Sequence, residues 1–270
     1  MLYRANCKIN IGLDILRRRS DGYHELSTIM YPIYGLYDTL EIEVTDSQDV
    51  IFQNQGISVD CPPQKNICVI AAQLMQQHYG TGGVRITLEK NIPFGAGLGG
   101  GSADGTAIIM AINELYDLGL STQELINRAA EIGSDTAFFV KNRPQLCQGR
   151  GEQMSDIDIE LSGKWIAIIK PDAYISTREA YAGVTPRIPE VALSERICRP
   201  IKEWQGLIGN DFESHILQAH PEIAKAKQAL IEAGAIYASM SGSGSAVYGI
   251  FENEKEARGV SLLTDYIYKV

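Results

Sequence analysis

Few cysteines occur in the sequence, and they follow no recognisable pattern. The 270-residue chain has five, widely spaced, with no Cys-x-x-Cys among them. A disulfide framework or a structural zinc site is therefore not expected, and a reducing compartment is favoured. His78, His215 and His220 have no metal-ligand spacing either, so we interpret them as surface or packing residues.

Long apolar runs are also missing. Runs such as Trp165–Ile169 fall far below the roughly 18 residues that a membrane helix needs. The first residues, Met-Leu-Tyr-Arg, lack the apolar stretch of a secretory leader. We therefore expect a cytoplasmic protein with no membrane partner.

Basic residues are scarce relative to acidic ones. Lysine and arginine number 24 against 33 aspartate and glutamate residues, so the formal net charge is −9. Such a chain repels the phosphate backbone of nucleic acid, so no nucleic-acid partner is expected. A small anionic ligand is still compatible, because backbone amides and a metal ion can supply local positive potential.

The remaining composition is that of a globular protein. Hydrophobic residues make up 45% and charged residues 21%, without repeats or low-complexity tracts. The length fits one large domain or two of ordinary size. An acidic stretch at Met154–Ser162 precedes a new buried strand, so we predict two domains, residues 1–155 and 156–270.

Strict alternation of apolar and polar residues predicts strands in the first half of the chain. From Cys7 to Ile15 the odd-numbered positions are apolar, which predicts one buried face and one polar face that carries Lys8 and Asn10. The same pattern at Leu40–Val44 and Val84–Leu88 predicts two more half-buried strands.

Helical spacing alternates with these strands. Helices are predicted from Ile67, after Ser102, and after a capping box formed by Ser121 and Glu124, with Gly133 as the end of the last. The second half is predicted to contain a strand at Trp165–Ile169, a helix capped by Ser176 or Thr177, helices at 210–218, 221–233 and 254–263, and strands at 237–240 and 246–251.

The most informative segment is Pro93–Ser102, which holds five glycines in ten residues between a strand and a helix. Glycine lets backbone amides approach a ligand closely, and the following helix N-terminus is positive, so the segment suits phosphate. No lysine follows the glycines, which excludes a P-loop. Gly95, Gly97 and Gly100 satisfy a dinucleotide-binding string, but Glu89–Phe94 separates them from the strand.

A second glycine-rich segment, Met240–Ser245, lies far downstream. By itself it could be a turn between two strands. Together with the first segment, it suggests two backbone walls around one polyphosphate.

Three segments of the chain together resemble the three sequence motifs of the GHMP kinases. They are the strand with Lys8 and Asn10, Pro93–Ser102, and Met240–Ser245. Further similarity, in the family's order, occurs at Arg19–Leu26, Gly133–Phe139, Gly149–Glu152 and Asn210–Glu213. The resemblance implies a two-domain α+β fold, with an N-terminal ATP-binding domain like domain 2 of ribosomal protein S5 and a C-terminal ferredoxin-like domain.

The resemblance also implies a reaction. The γ-phosphoryl group of ATP would pass, with magnesium, to the 2-hydroxyl of a cytidine-diphosphate-linked methylerythritol. Lys8 and Asp135 match the catalytic pair. A monomer or weak homodimer is expected.

Binding residues follow from the same resemblance. ATP is assigned to Lys90, Pro93, Phe94, Gly95, Ala96, Gly97, Leu98, Gly99, Gly100, Gly101, Ser102 and Ala103. The acceptor is assigned to Asn10, Tyr23, His24, Tyr181, Ser241, Gly242, Ser243 and Gly244. Tyr23 would stack on the cytosine, His24 would bond to it, and Tyr181 would close its other face. Ser102 is the candidate magnesium ligand, and Ala103 stands where the family generally has a second serine.

Without the resemblance, plainer interpretations apply to the same residues. Lys8 would be a solvated surface lysine, Asp135 an N-cap, His24 a turn residue and Tyr181 a packing residue. Three alternative functions also stay open. They are phosphorylation of another small alcohol such as homoserine, mevalonate or a sugar, a nicotinamide- or flavin-dependent oxidoreductase, and a non-catalytic nucleotide-binding module.

Overall fold

The computed structural model describes residues 1–59 and 61–270, which form two compact units. The first unit contains Met1–Cys7, Leu36–Phe94 and Gly99–Arg143, and the second contains Lys8–Gly35, Gly95–Leu98 and Pro144–Val270. Helices and strands occur in both units, which confirms the predicted α+β class. The domain boundary after residue 155 stays a prediction.

The first unit combines strands with a layer of helices. Its elements are the N-terminal end of β1 (Leu2–Arg18), the C-terminal part of β2 (His24–Val44), β3 (Val50–Gly56), a 3₁₀ turn (Pro63–Lys65), α1 (Ile67–Tyr79), β4 (Val84–Lys90), α2 (Gly100–Leu115), α3 (Thr122–Ala130) and α4 (Thr136–Lys141). β4 pairs antiparallel with β2 and parallel with β3. α1 packs against α2, and α2 packs against α4.

The elements of the second unit include β5 (Gln145–Gly149), β6 (Gln153–Asp156), β7 (Trp165–Ile169), α5 (Thr177–Ala182), α6 (Leu193–Arg196), a 3₁₀ turn (Ile201–Glu203), α7 (Glu213–Ala219), α8 (Pro221–Glu232), β8 (Tyr237–Met240), β9 (Val247–Phe251), α9 (Glu254–Ala257), a 3₁₀ turn (Arg258–Val260) and β10 (Ile267–Lys269). Four of the strands form an antiparallel sheet in the order β10-β7-β9-β8. β5 pairs with both β2 and β6. Side chains of β1, β7, β8, β9 and α8 share one hydrophobic core.

The predicted strands are confirmed, but the polar face of β1 is not solvated. Lys8 is 2% exposed and Asn10 is 3% exposed. Alternation identifies the two faces of a strand, but it does not say what covers the polar face. Here the polar side chains bond to one another and to backbone carbonyls, which offsets the cost of burying them.

Several helix boundaries differ from the predicted ones. The capping box of Ser121 and Glu124 is confirmed, but α3 ends at Ala130, before Gly133. α7 begins at Glu213 because the residues before it pair with β1, where the Asp211 amide donates to the Leu13 carbonyl at 2.9 Å. The helix predicted over 254–263 stops at Ala257 and continues as a short 3₁₀ turn. Among the described residues, no helix is long and apolar enough to cross a membrane.

A buried ion cluster joins β2, β4 and α2 in the first unit. The alternation of β4 places Lys90 on the inner face with Val84, Ile86 and Leu88. Lys90 Nζ donates to Asp104 Oδ2 at 2.8 Å and to Asp38, and each of the three side chains is at most 2% exposed. Burial opposes the charge of Lys90, but the two carboxylates outweigh it and raise its pKa. Burial also raises the pKa of Asp104, because one lysine cannot fully compensate two acids.

The other oxygen of Asp38 fixes the start of the first glycine-rich segment. It accepts hydrogen bonds from the amides of Asn91 and Ile92 at 2.6 and 2.8 Å. The ion cluster thus holds the chain where it leaves β4 toward Pro93. Loss of the lysine would affect both the stability of the unit and the position of this segment.

Lys90→Met is expected to lower the free energy of unfolding by about 3–5 kcal/mol, because it leaves Asp38 and Asp104 buried without a cation. Burial raises the pKa of Asp104, and without Lys90 its ionised form is opposed still more strongly. The extra loss should therefore grow as the pH rises above the ordinary carboxyl pKa of about 4. Urea titration at several pH values measures this loss in the free energy of unfolding.

Lys164→Met is the matched control, since Lys164 pairs at 2.8 Å with Glu252, whose side chain is 51% exposed. It should cost less than about 1 kcal/mol at every pH. Equal losses in the two variants would contradict a structural role for the ion cluster.

Candidate active site

The first glycine-rich segment ends as the N-terminus of α2. Gly99 is the N-cap with φ of 71°, a left-handed conformation that favours glycine, and none of the described side chains caps the helix. The amides of Gly100, Gly101 and Ser102 therefore lie in an uncapped first turn of a 16-residue helix. Such amides, with the helix dipole, suit a phosphate group.

The middle of the segment lies in the second unit, between β1 and the second glycine-rich segment. The Lys8 amide donates to the Leu98 carbonyl at 2.9 Å, and the Ala246 amide donates to the Ala96 carbonyl at 3.1 Å. A Cβ atom at Gly97 would lie 2.0 Å from the Ser241 carbonyl oxygen, and the φ of Gly97 is 75°. Only glycine permits this approach of two backbones.

Ser241 joins the two glycine-rich segments. Its hydroxyl donates to the Gly97 carbonyl at 2.8 Å and accepts a hydrogen bond from the Asn10 amide at 3.2 Å. The segment then turns, with the Gly244 amide donating to the Ser241 carbonyl at 3.0 Å. Gly242 and Ser243 are half-buried in this turn. The two segments that the sequence separates by more than a hundred residues are thus in direct contact.

Lys8 reaches the same carbonyl from β1. Its Nζ donates to the Gly97 carbonyl oxygen at 2.9 Å and to Asn10 Oδ1. The side-chain Nδ2 of Asn10 in turn donates to Thr28 Oγ1 at 3.0 Å. Because a buried charge is stable only with such hydrogen bonds, the interpretation of Lys8 as a solvated surface residue is wrong.

Asp135 lies in the first unit at the start of α4. It occupies the N-cap position, but within the described part of the chain its side chain does not cap the helix, so the plain N-cap interpretation is wrong. Thr136 Oγ1 donates to the Gly133 carbonyl at 2.7 Å and fixes the turn that presents Asp135. Thr106 Oγ1 lies 2.7 Å from the Thr136 carbonyl oxygen and 2.9 Å from the Ser102 carbonyl oxygen. These two contacts hold the turn next to the start of α2.

A magnesium ion fits the donor groups at this place in the first unit. A Cβ atom at Gly133 would lie 4.0 Å from Ser102 Oγ, so the serine hydroxyl is next to the turn that carries Asp135. No group of three or more His, Cys, Asp or Glu ligands occurs among residues 1–59 and 61–270. Magnesium does not need one, because it is commonly held by one or two carboxylates together with substrate phosphates and water.

Other residues assigned to ATP differ in exposure. Phe94 is 55% exposed, and Pro93 and Gly95 are also accessible, whereas Lys90 is 2% exposed inside its ion cluster. The assignment of Lys90 to ATP stays a prediction. In the structure its ammonium group bonds to Asp38 and Asp104. Ala103 is 2% exposed, so its side chain packs inside the unit.

The aromatic residues assigned to cytosine have partners within the second unit. His24 and Tyr181 are stacked with ring centroids 4.8 Å apart, and Tyr181 meets Phe212 edge-on at 5.0 Å. Tyr23 is 57% exposed, and the guanidinium of Arg150 lies 5.0 Å from its ring centroid. His24 therefore covers one face of Tyr181 in this structure, and the base-binding roles stay predictions.

Three contributors to the site were missed from the sequence. Thr28 bonds to Asn10, Asp38 holds the approach to Pro93, and Asn210 donates to carbonyls of the second glycine-rich segment. Thr28 and Asp38 carry no local signal, since each is one of several polar residues in β2 and nothing in the pattern distinguishes it. Asn210 had a signal, because it opens the Asn210–Glu213 segment that already resembled the family.

Comparison with known proteins gives two matches to family models. Residues 66–143 match the GHMP kinases N terminal domain, and residues 195–262 match the GHMP kinases C terminal model. Together they cover parts of both halves of the chain.

Individual relatives are similar over nearly the whole length. The chain is 44% identical over 256 residues to the 4-diphosphocytidyl-2-C-methyl-D-erythritol kinase of Bacteroides thetaiotaomicron, covering 94% of this chain and 93% of the relative. It is 36% identical to the enzyme of that name from Pelodictyon phaeoclathratiforme, covering 100% and 95%.

Solved structures extend the similarity to the fold. A crystal structure of 4-(cytidine 5'-diphospho)-2C-methyl-D-erythritol kinase is 30% identical with a TM-score of 0.85, covering 99% of this chain and 97% of that one. The mevalonate kinase of Methanococcus jannaschii, 16% identical with a TM-score of 0.70 over 99% and 96% of the two chains, shares the fold alone.

Gly97→Ala is expected to lower kcat by about 10²-fold, because the added Cβ must push the Ser241 carbonyl away and shift the two segments apart. Steady-state kinetics measures the loss. Gly119→Ala is the control, since Gly119 has a φ of 64° but no described atom within 4 Å of its Cβ position. Gly119→Ala introduces the same backbone strain of about 1 kcal/mol, but its Cβ does not collide with another part of the chain. Equal activity in the two variants would disprove the steric argument.

Proposed function

The chain belongs to the 4-diphosphocytidyl-2-C-methyl-D-erythritol kinases of the GHMP kinase family, and from that membership we propose how its residues perform the reaction. The γ-phosphoryl group of ATP is transferred to the 2-hydroxyl of 4-diphosphocytidyl-2-C-methyl-D-erythritol, a step of the non-mevalonate pathway to isoprenoids. The geometric observation that supports this function best is the convergence of Lys8 and both glycine-rich segments on the Gly97 carbonyl.

Lys8 supplies the positive charge. Phosphoryl transfer needs little covalent help from a protein and depends on positioning and charge stabilisation. The bonds of Lys8 to the Gly97 carbonyl and to Asn10 hold its ammonium group in one place before the reaction begins. A preorganised charge of this kind stabilises a transition state without reorganisation.

Asp135 acts as the base. Its carboxylate, at the N-cap position of α4, orients the acceptor hydroxyl and takes its proton as the oxygen attacks phosphorus. Thr106 and Thr136 keep the turn that carries Asp135 in place. Lys8 and Asp135 thus have complementary roles, one as a positive charge and the other as a base.

The first glycine-rich segment binds the phosphates of ATP through the amides at the start of α2. Magnesium, when bound, offsets the charge of the phosphate oxygens. Ser102 and Asp135 would hold it. Ala103 is buried inside the unit. The lack of a second serine at this position therefore removes no hydroxyl from the surface that binds the phosphates.

The acceptor is bound in the second unit. Its cytosine lies on Tyr23, with His24 and Tyr181 beside it, and Asn10 and the Ser241–Gly244 turn contact the rest. The domain boundary follows residue 155. The enzyme works in the cytoplasm as a monomer or weak homodimer.

A coupled assay of ADP release tests the function. Magnesium-dependent turnover is expected with 4-diphosphocytidyl-2-C-methyl-D-erythritol and not with mevalonate, homoserine or galactose. Turnover with one of the other alcohols would support the kinase activity but show that the assigned acceptor is wrong. Absence of turnover with all of them would contradict the function.

Asp135→Asn, in the same assay, is expected to lower kcat by about 10²–10⁴-fold, because the amide cannot accept the proton. Asp158→Asn changes the net charge equally at an exposed position and should leave kcat unchanged. Full activity in Asp135→Asn would remove Asp135 from the catalytic set.

A further inference from the structure

The second glycine-rich segment is held from behind by a neighbouring stretch of chain, Asn210–Glu213. Asn210 is 5% exposed and lies between the 3₁₀ turn at Ile201–Glu203 and α7. Its Nδ2 donates to the Met240 carbonyl at 2.9 Å and to the Gly242 carbonyl at 2.8 Å. The side-chain amide of Asn210 therefore bonds to the residues on both sides of Ser241.

The orientation of the Asn210 amide is fixed by a third bond. Its Oδ1 accepts a hydrogen bond from the Phe212 amide at 3.0 Å. With the oxygen engaged there, both N–H groups must point at the segment. Aspartate has the same shape, but its carboxylate could not donate to either carbonyl.

Glu213 adds a second contact at the start of the segment. Its Oε1 accepts a hydrogen bond from the Met240 amide at 2.7 Å, and its Oε2 pairs with Lys227 at 2.6 Å. The amide and carbonyl of Met240 are thus both bonded to side chains of Asn210–Glu213. The residue before Ser241 cannot shift without breaking them.

The same stretch, together with Gly209 before it, also bonds to β1. The Leu13 amide donates to the Gly209 carbonyl at 2.9 Å, and the Asp211 amide donates to the Leu13 carbonyl at 2.9 Å. Asp211 Oδ2 accepts a hydrogen bond from the Ile15 amide at 2.7 Å. Asn210–Glu213 therefore links the strand that carries Lys8 to the segment that carries Ser241.

We propose that Asn210 is a positioning residue for phosphoryl transfer, acting through the Ser241 turn on the Gly97 carbonyl that Lys8 shares. Each link is direct. Asn210 fixes Met240 and Gly242, Ser241 between them bonds to the Gly97 carbonyl, and Lys8 bonds to the same oxygen. This inference rests on the proposed function of Lys8.

Asn210→Asp tests it, because the variant keeps the acceptor for Phe212 and turns the two donated bonds into repulsion between oxygens. We expect kcat to fall about 10- to 100-fold, since a small displacement of a positioned group has effects of this size. The KM values for ATP and for the acceptor should change much less, because Asn210 acts through the position of Lys8 in the transition state. Thermal unfolding shows whether the variant is folded at the assay temperature.

Asn113→Asp is the matched control. The side chain of Asn113 accepts a hydrogen bond from the Leu120 amide at 3.0 Å, which an aspartate also accepts, so kcat should not change. If Asn210→Asp does not fold, Asn210→Ser replaces the two N–H donors with one hydroxyl on a shorter side chain, adds no charge and carries the same expectation.

Unchanged kcat in the folded Asn210 variant, or a rise in KM without loss of kcat, would overturn the positioning role. The wild-type enzyme is measured alongside. Its failure to phosphorylate the cytidine substrate would count against the proposed function, whereas normal wild-type turnover with an unaffected variant would overturn this inference alone.

Discussion

A buried ammonium group is the constraint on which the second unit depends. Lys8 is almost entirely removed from solvent, so its charge must be met by oxygen atoms fixed in place. The Gly97 carbonyl is one of them, and the Ser241 hydroxyl bonds to the same oxygen. Three parts of the chain that are distant in sequence are therefore held at one point. The proposed reaction and the fold impose the same requirement here, because the charge that we propose stabilises phosphoryl transfer is also a charge that the fold must satisfy.

The glycines follow from this constraint. Gly97 lies so close to the backbone of Ser241 that a side chain could not be placed between them. In the first unit Gly99 begins α2 without a side-chain cap, and uncapped first amides of a helix suit phosphate. The buried cluster of Lys90, Asp38 and Asp104 holds the chain just before this segment. A rigid support of this kind permits a loop rich in glycine to keep one conformation despite its entropic cost.

Much of this could be predicted from the sequence because the relevant signals are local. Alternation predicts the strands, and glycine density marks the two segments to which phosphate binding is assigned. The burial of Lys8 could not be predicted, because a polar residue in an alternating strand is normally solvated and its acceptor at Gly97 is distant in the chain. The stacking of His24 on Tyr181 depends equally on residues far apart in sequence. Pattern identifies which residues are unusual, whereas the identity of their partners depends on tertiary structure.

We propose that Lys8 is held at the Gly97 carbonyl so that its charge stabilises the transferred phosphoryl group. Lys8→Met, which keeps the length of the side chain and removes the charge, measures this directly in a steady-state assay with ATP and the cytidine substrate. We expect kcat to fall by more than the KM for ATP rises, because the charge acts mainly in the transition state. An unchanged kcat, in a variant that is folded at the assay temperature, would contradict it.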